Sequence, residues 1–400
     1  MSNSKGVVYF ISGELLGKIS PFLLLPFLTR YLGVEEFGEL SIYQAYITII
    51  MVVVGMSQDK FILTTFYRDK GGVGLFSAVV LYVLLSVSLL VLLALIIESK
   101  GLLIVSLSAG AQTLFFSTMI YLQCLNRYFL YFVACILQGV GGVVLTVFVF
   151  EYVGVGVFER LWLVVLVNLL CAFFIIIMIY SKSSVGLFKD LGIYLKQLMV
   201  FGGGLLLYQI SVVTKGQLDR LLVAEFFDKE SMGLYALSVQ LSTALVVVLM
   251  AVNKVLIPVY YNYIQQGRMT NNKMKRYFII SLIIVPIPAL AVYIMPAAIL
   301  PFIFGDEYIG VTEITVRILL GVGLMVPYMF LLNTLLYFKK NTYISLVSIL
   351  SAVVYILLFY FLSGFGLLAA AYSLFLANVF IVFLFWRAVT SFSLFEKGGV

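Results

Sequence analysis

Apolar runs long enough to cross a bilayer follow one another from one end of this chain to the other. A hydrocarbon core of ~30 Å needs about 20 apolar residues in a helix. Candidate spans lie at 7–29, 40–58, 74–97, 102–122, 129–150, 161–181, 197–214, 233–257, 277–300, 315–337, 343–362 and 365–386. Their connectors are short, and the longest hydrophilic one runs from about Pro258 to Arg276. No soluble core can bury so many helices that are apolar on every face. Charged residues make up 11% of the 400 and hydrophobic ones 63%, against ~25% and about half in soluble domains. The expected fold class is therefore an all-α integral membrane protein of about 12 transmembrane helices. No small-residue cleavage site follows a short apolar core near the start, so the first span is expected to stay in the protein.

The same composition excludes several chemistries. There are three cysteines, Cys124, Cys135 and Cys171, none in a Cys-x-x-Cys pair, and no histidine. A disulfide framework, a zinc site and a haem site are not expected, and no cofactor is. The lack of histidine also removes the commonest general base. An enzyme is not expected.

Basic residues set the orientation. Of the 25 Lys and Arg residues, 17 fall on one face when both termini are cytoplasmic. Seven fall on the other: Arg30, Lys100, Arg160, Lys215, Arg220, Lys229 and Arg317. Lys18 lies inside a span. The acidic residues gather on the sparse face, among them Glu35, Glu36, Glu151, Asp228 and Glu307. The net charge of +7 is thus a topology signal and not a sign of nucleic-acid binding.

The halves repeat. Arg30 is followed by Gly38 and Lys60, and Arg220 by Gly233 and Lys254, at similar spacings. The offset contains six spans, and an even number gives both copies the same orientation. That is a parallel repeat about the membrane normal. It implies two six-helix bundles, 1–190 and 191–400, around a central cavity.

Ionisable residues within the spans are the candidate functional groups, since charge at that depth faces a bundle interior or a watery cavity. Glu14 and Lys18 stand four residues apart, on one helical face, where they can pair. They either neutralise each other between helices or line the cavity and meet a polar substrate. Gly13 and Gly17 on the neighbouring face allow close helix approach. Arg30, Lys215, Asp219 and Arg220 lie near the outer ends of their spans. Snorkelling alone would account for them, but the repeat puts an arginine at equal depth on each bundle. Pro21, Pro26, Pro286, Pro288 and Pro327 are expected to kink their helices. Gly202-Gly203-Gly204 has no P-loop context and serves packing or bending.

Leu28-Thr29-Arg30-Tyr31-Leu32-Gly33 followed by Glu36-Phe37-Gly38 resembles the opening of Wzx-type polysaccharide flippases. Their superfamily also holds multidrug exporters of the MATE kind and lipid II flippases. Asp219-Arg220 with Gly233-Leu234-Tyr235-Ala236, Ile257-Pro258 before a basic loop, and Phe304-Gly305-Asp306-Glu307-Tyr308 are similar to later features of that family. The resemblance covers nearly the whole chain. It implies a bacterial plasma (inner) membrane protein that moves an oligosaccharide on undecaprenyl diphosphate, an O-antigen unit or similar, to the outer leaflet. It implies as partners that lipid-linked oligosaccharide, membrane lipids, a polysaccharide polymerase and a chain-length regulator. Arg30 and Arg220 carry the motif match as receivers of the anionic headgroup. Lys18 and Lys215 join them by depth and spacing, and Glu14 and Asp219 are candidates to carry a proton or coupling ion. The alternatives are a small-molecule exporter of the same fold and a membrane polysaccharide polymerase. The short outer loops leave little room for a polymerase site.

Overall fold

A computed structural model describes residues 2–69, 72–181 and 190–391, apart from the side chains of 2–5, 7, 69, 207–208, 211–212, 214–215 and 341. Fifteen α-helices follow in order: α1 (Ser2–Gly55), α2 (Gln58–Asp69), α3 (Val73–Ile96), α4 (Lys100–Cys124), α5 (Tyr128–Tyr152), α6 (Val157–Tyr180), α7 (Leu191–Phe226), α8 (Lys229–Gln265), α9 (Asn271–Ile284), α10 (Ile287–Ile294), α11 (Ile299–Phe304), α12 (Val311–Gly323), α13 (Met325–Tyr337), α14 (Asn341–Leu362) and α15 (Leu368–Ser391). Among the described residues there is no strand.

Among the described residues ten helical stretches are long and apolar enough to cross a membrane. The first of them, Val8–Arg68, holds two of the expected spans, and α7 supplies another through the apolar stretch Leu191–Leu206. The protein is a multi-pass membrane protein with about a dozen crossings, as the sequence predicts. Helix α3 shows why. Its 18-residue apolar stretch has a mean hydropathy of 3.0, yet Leu85, Leu89 and Leu92 are each more than half exposed. Only a lipid solvent accepts that surface.

The break between the first two spans is at Gly33, with φ 68 and ψ −177, a region open essentially to glycine alone. Glu14 and Thr48 border one cavity although 34 residues separate them. In one straight helix they would stand ~51 Å apart, so the chain folds back at Gly33. Pro21 and Pro26 lie inside α1, where the non-helical backbone is at Gly33. Pro286 and Pro327 do mark breaks, between α9 and α10 and near the α12–α13 junction. Those two breaks interlock, because a Cβ on Gly323 would run into the Val285 carbonyl oxygen.

The chain divides into two compact units, Met1–Leu221 and Leu222–Val400, with the division inside α7. In the first, Phe76 stacks on Tyr121 at 4.6 Å within a core that includes Phe61, Leu122 and Ile175. The start of α7 belongs to it: Gly202 abuts the Met56 carbonyl and Phe201 meets Phe61 at 5.8 Å. In the second, Phe278 stacks on Trp386 at 4.1 Å beside buried Leu331, Leu335 and Phe385.

Candidate functional site

Helix α1 packs along α5 through small residues. A Cβ on Gly13 would stand 3.3 Å from the Phe132 Cα, and one on Gly139 2.5 Å from the Ser20 Oγ. This closeness holds one side of a cavity of about 330 Å³ within the first unit. Gly17 does not join the contact: a Cβ there would meet open space, and the residue borders the cavity.

Two arginines line this chamber, Arg160 from the first turn of α6 and Arg220 from α7. Arg160 donates to the Thr146 Oγ1 at 3.1 Å, and the Thr146 hydroxyl in turn donates to the Gly142 carbonyl at 2.6 Å. A cation gains nothing from a helix N-terminus, so the helix gives Arg160 no reason to be there. Four carboxamides share the wall: Gln44, Gln112, Gln138 and Asn168. Among the described residues no carboxylate does. Asn168 is 3% exposed; its amide donates to the Val164 carbonyl at 2.8 Å, and its Oδ1 has no protein partner. Two guanidiniums and a set of amides can hold an anion and hydrogen-bond hydroxyls beside it.

A second cavity of about 590 Å³ adjoins the first at Thr48, which borders both. Glu14 lines it, accepting from the Tyr131 hydroxyl at 2.6 Å and pairing with Lys18 at 3.1 Å. Asp59, Lys60 and Gln58 are also on its wall. Gln58 is buried, with its amide on the Thr113 carbonyl at 3.0 Å and its Oε1 without a protein partner.

The residues singled out by sequence separate into groups. Arg220 lines the first chamber and Glu14 the second. Lys18 pairs with Glu14 as its spacing predicts, and half of its side chain stays exposed. Arg30 is exposed on α1 and is not in the lining of either cavity. Asp219 accepts from the backbone N–H of Arg220 at 2.9 Å. The side chain of Lys215 lies outside the described residues. Sequence reasoning missed Arg160, counted there only as a charge on the sparse face. It also missed the four amides, whose signal was a polar side chain inside an apolar span. Among the described residues no cluster of three metal-ligating side chains occurs.

Residues 27–313 match the family described as polysaccharide biosynthesis protein. The chain belongs to that family. Two Haemophilus influenzae proteins are each 32% identical to this member: a protein of the Lsg locus, over 88% of this chain and 89% of its own length, and an uncharacterized membrane protein, over 89% of both. The fold is similar to that of lipid II flippase MurJ in an inward closed conformation, at TM-score 0.69 and 16% identity over 98% of this chain and 89% of that one. It is likewise similar to an inward-facing multidrug resistance MATE transporter of the MOP superfamily, at TM-score 0.72 and 13% identity over 96% of both. The family member thus has the fold of this transporter superfamily, in agreement with its resemblance to Wzx-type flippases.

Proposed function

We propose that this protein is a flippase that carries oligosaccharide units linked to undecaprenyl diphosphate from the cytoplasmic to the outer leaflet of the bacterial plasma membrane. The units would serve a surface polysaccharide such as O-antigen. The observation that carries the reading is the chamber that Arg160 and Arg220 both line, with four amides and, among the described residues, no carboxylate. An unpaired anion in hydrocarbon costs many kcal/mol, and fixed guanidiniums replace the water that a diphosphate loses. The amides suit sugar hydroxyls. Membership of the polysaccharide biosynthesis family and the likeness of fold to a lipid II flippase support the same reading.

In this reading both termini are cytoplasmic, and the bundles 1–190 and 191–400 are copies related about the membrane normal. Arg30, Lys18 and Lys215 add positive charge along the route. An inside-negative potential favours outward movement of an anion by ~2.3 kcal/mol per charge per 100 mV. Glu14 or Asp219 supplies a protonatable or ion-binding carboxylate for coupling. A polymerase and a chain-length regulator would receive the units outside.

The test is surface glycan in a strain whose own copy of the gene is deleted and replaced by variants. A charged hydrogen bond contributes ~1.5–3 kcal/mol, so Arg160→Ala or Arg220→Ala should weaken cargo binding roughly tenfold to a hundredfold or more. Arg→Lys should restore part of the display, since lysine keeps the charge and loses the fork. Full display from a correctly inserted Arg160→Ala/Arg220→Ala double variant would remove the arginine chamber from the mechanism. The second cavity, with Glu14 and Asp59 on its wall, favours one other reading, an exporter of organic cations. Deletion would then leave glycan intact and sensitise cells to cationic drugs.

A further inference from the structure

The second unit carries a cavity that plays no part in the reading above. It has a volume of about 510 Å³ and lies among α8, α9 and α13. Leu249, Val252, Leu256, Val259 and Tyr263 form its floor, one stripe at helical spacing along α8. From Leu249 to Tyr263 is 14 residues, about 21 Å of helix. Ile280 and Ile284 of α9 and Phe330 of α13 close the sides. The polar pair within it is satisfied internally, the Asn333 amide donating to the Asn253 Oδ1 at 2.8 Å. Val252, Leu256 and Val259 remain 49–65% exposed.

One end of the groove is cationic. The Lys273 ammonium donates to the Tyr263 hydroxyl and to the Arg268 carbonyl, each at 2.9 Å. An ammonium has three N–H groups, so one remains for an anion. Arg268, Lys275 and Arg276 are exposed on the same short segment. Residues 231–305 contain five basic side chains and no acidic one, so nothing acidic nearby in sequence neutralises this end.

We propose that this groove is a binding site for an anionic glycerophospholipid of the bilayer, with one acyl chain along α8 and its phosphate at Lys273. The floor is about as long as one leaflet's share of the membrane, half of a ~30 Å core plus its interface. The groove suits a single acyl chain rather than a long polyprenyl tail. Basic groups at a span end attract anionic headgroups. The proposal does not rest on the cargo, since it uses none of the residues assigned to the chamber in the first unit.

Native mass spectrometry of the full-length protein, titrated with phosphatidylglycerol or with phosphatidylcholine of the same acyl chains, tests it. The protein should prefer phosphatidylglycerol. Each basic residue near a membrane surface contributes about fivefold, so Lys273→Gln/Arg276→Gln should erase roughly 25-fold of that preference. Leu256→Trp should fill the groove and weaken both lipids. If that variant misfolds, the double variant, which changes exposed side chains alone, still decides. Equal binding of the two lipids overturns the proposal, as does a preference that survives the double variant. Displacement of phosphatidylglycerol by undecaprenyl phosphate at equimolar amounts would assign the groove to a prenyl chain and overturn it too.

Discussion

Substituting Gly139 by alanine tests the contact on which the arginine chamber rests. The new Cβ would lie 2.5 Å from the Ser20 Oγ and 3.1 Å from the Ser20 Cβ, where ordinary contact begins at 3.4 Å. Rotating the hydroxyl away would break its 2.7 Å hydrogen bond to the Leu16 carbonyl and would leave the Cβ contact in place. Ser20 is 5% exposed, so it has little room to retreat. Overpacking of this kind costs ~1–3 kcal/mol, and alanine returns up to about 1 kcal/mol through helix propensity. In a Ser20→Gly background the nearest remaining atom is the Leu16 carbonyl oxygen at 3.8 Å. There the alanine should fit and stabilise. The four proteins of the cycle should therefore show a coupling of about 1–3 kcal/mol, within the range for touching residues. Thermal unfolding in detergent reads this as a shift of ~2–4 °C per kcal/mol for a unit of this size. Melting shifts that simply add, within about 1 °C, would show that α1 and α5 do not meet there.

Gly33→Ala should destabilise by roughly 1–3 kcal/mol, because φ 68 with ψ −177 is strained for any side chain. An unchanged melting temperature would contradict the turn. Asp228 caps α8, and the Ser231 hydroxyl and amide hold its carboxyl below the usual carboxylate range. Its stabilisation is then complete above the ordinary value of ~3.9 and fades as pH falls through the lower folded value. Asp228→Ala should cost about 0.5 kcal/mol or somewhat more at pH 7, and the gap to wild type should shrink at pH 3; a gap constant with pH would refute the cap. Reporter fusions after residue 400 and within 182–196 should read cytoplasmic and those within 223–231 external. A cytoplasmic signal from the last site would invert the topology.

Much of this molecule was legible before folding because lipid is a demanding solvent. A span must be about 20 residues long and apolar, so the spans appear as runs that need no partner to be recognised. The Glu14–Lys18 pair was equally local, a matter of four residues on one helix. Breaks at Pro286 and Pro327 follow from a missing N–H. Pro21 and Pro26 carry the same local signal and stay inside α1, whose non-helical residue is Gly33.

The tertiary structure decided what the spans enclose. Arg160 and Arg220 stand 60 residues apart in sequence, and no periodicity brings them to one chamber. Gly13 and Gly17 look alike as a pair of small residues; packing presses one against α5 and leaves the other on a cavity wall. Gln44, Gln112, Gln138 and Asn168 come from four different helical segments and converge only when those segments pack. Hydropathy records how a residue meets lipid, one residue at a time. Which polar groups face each other depends on helix rotation and contact, and these are set by side-chain volumes on neighbouring helices far apart in the chain.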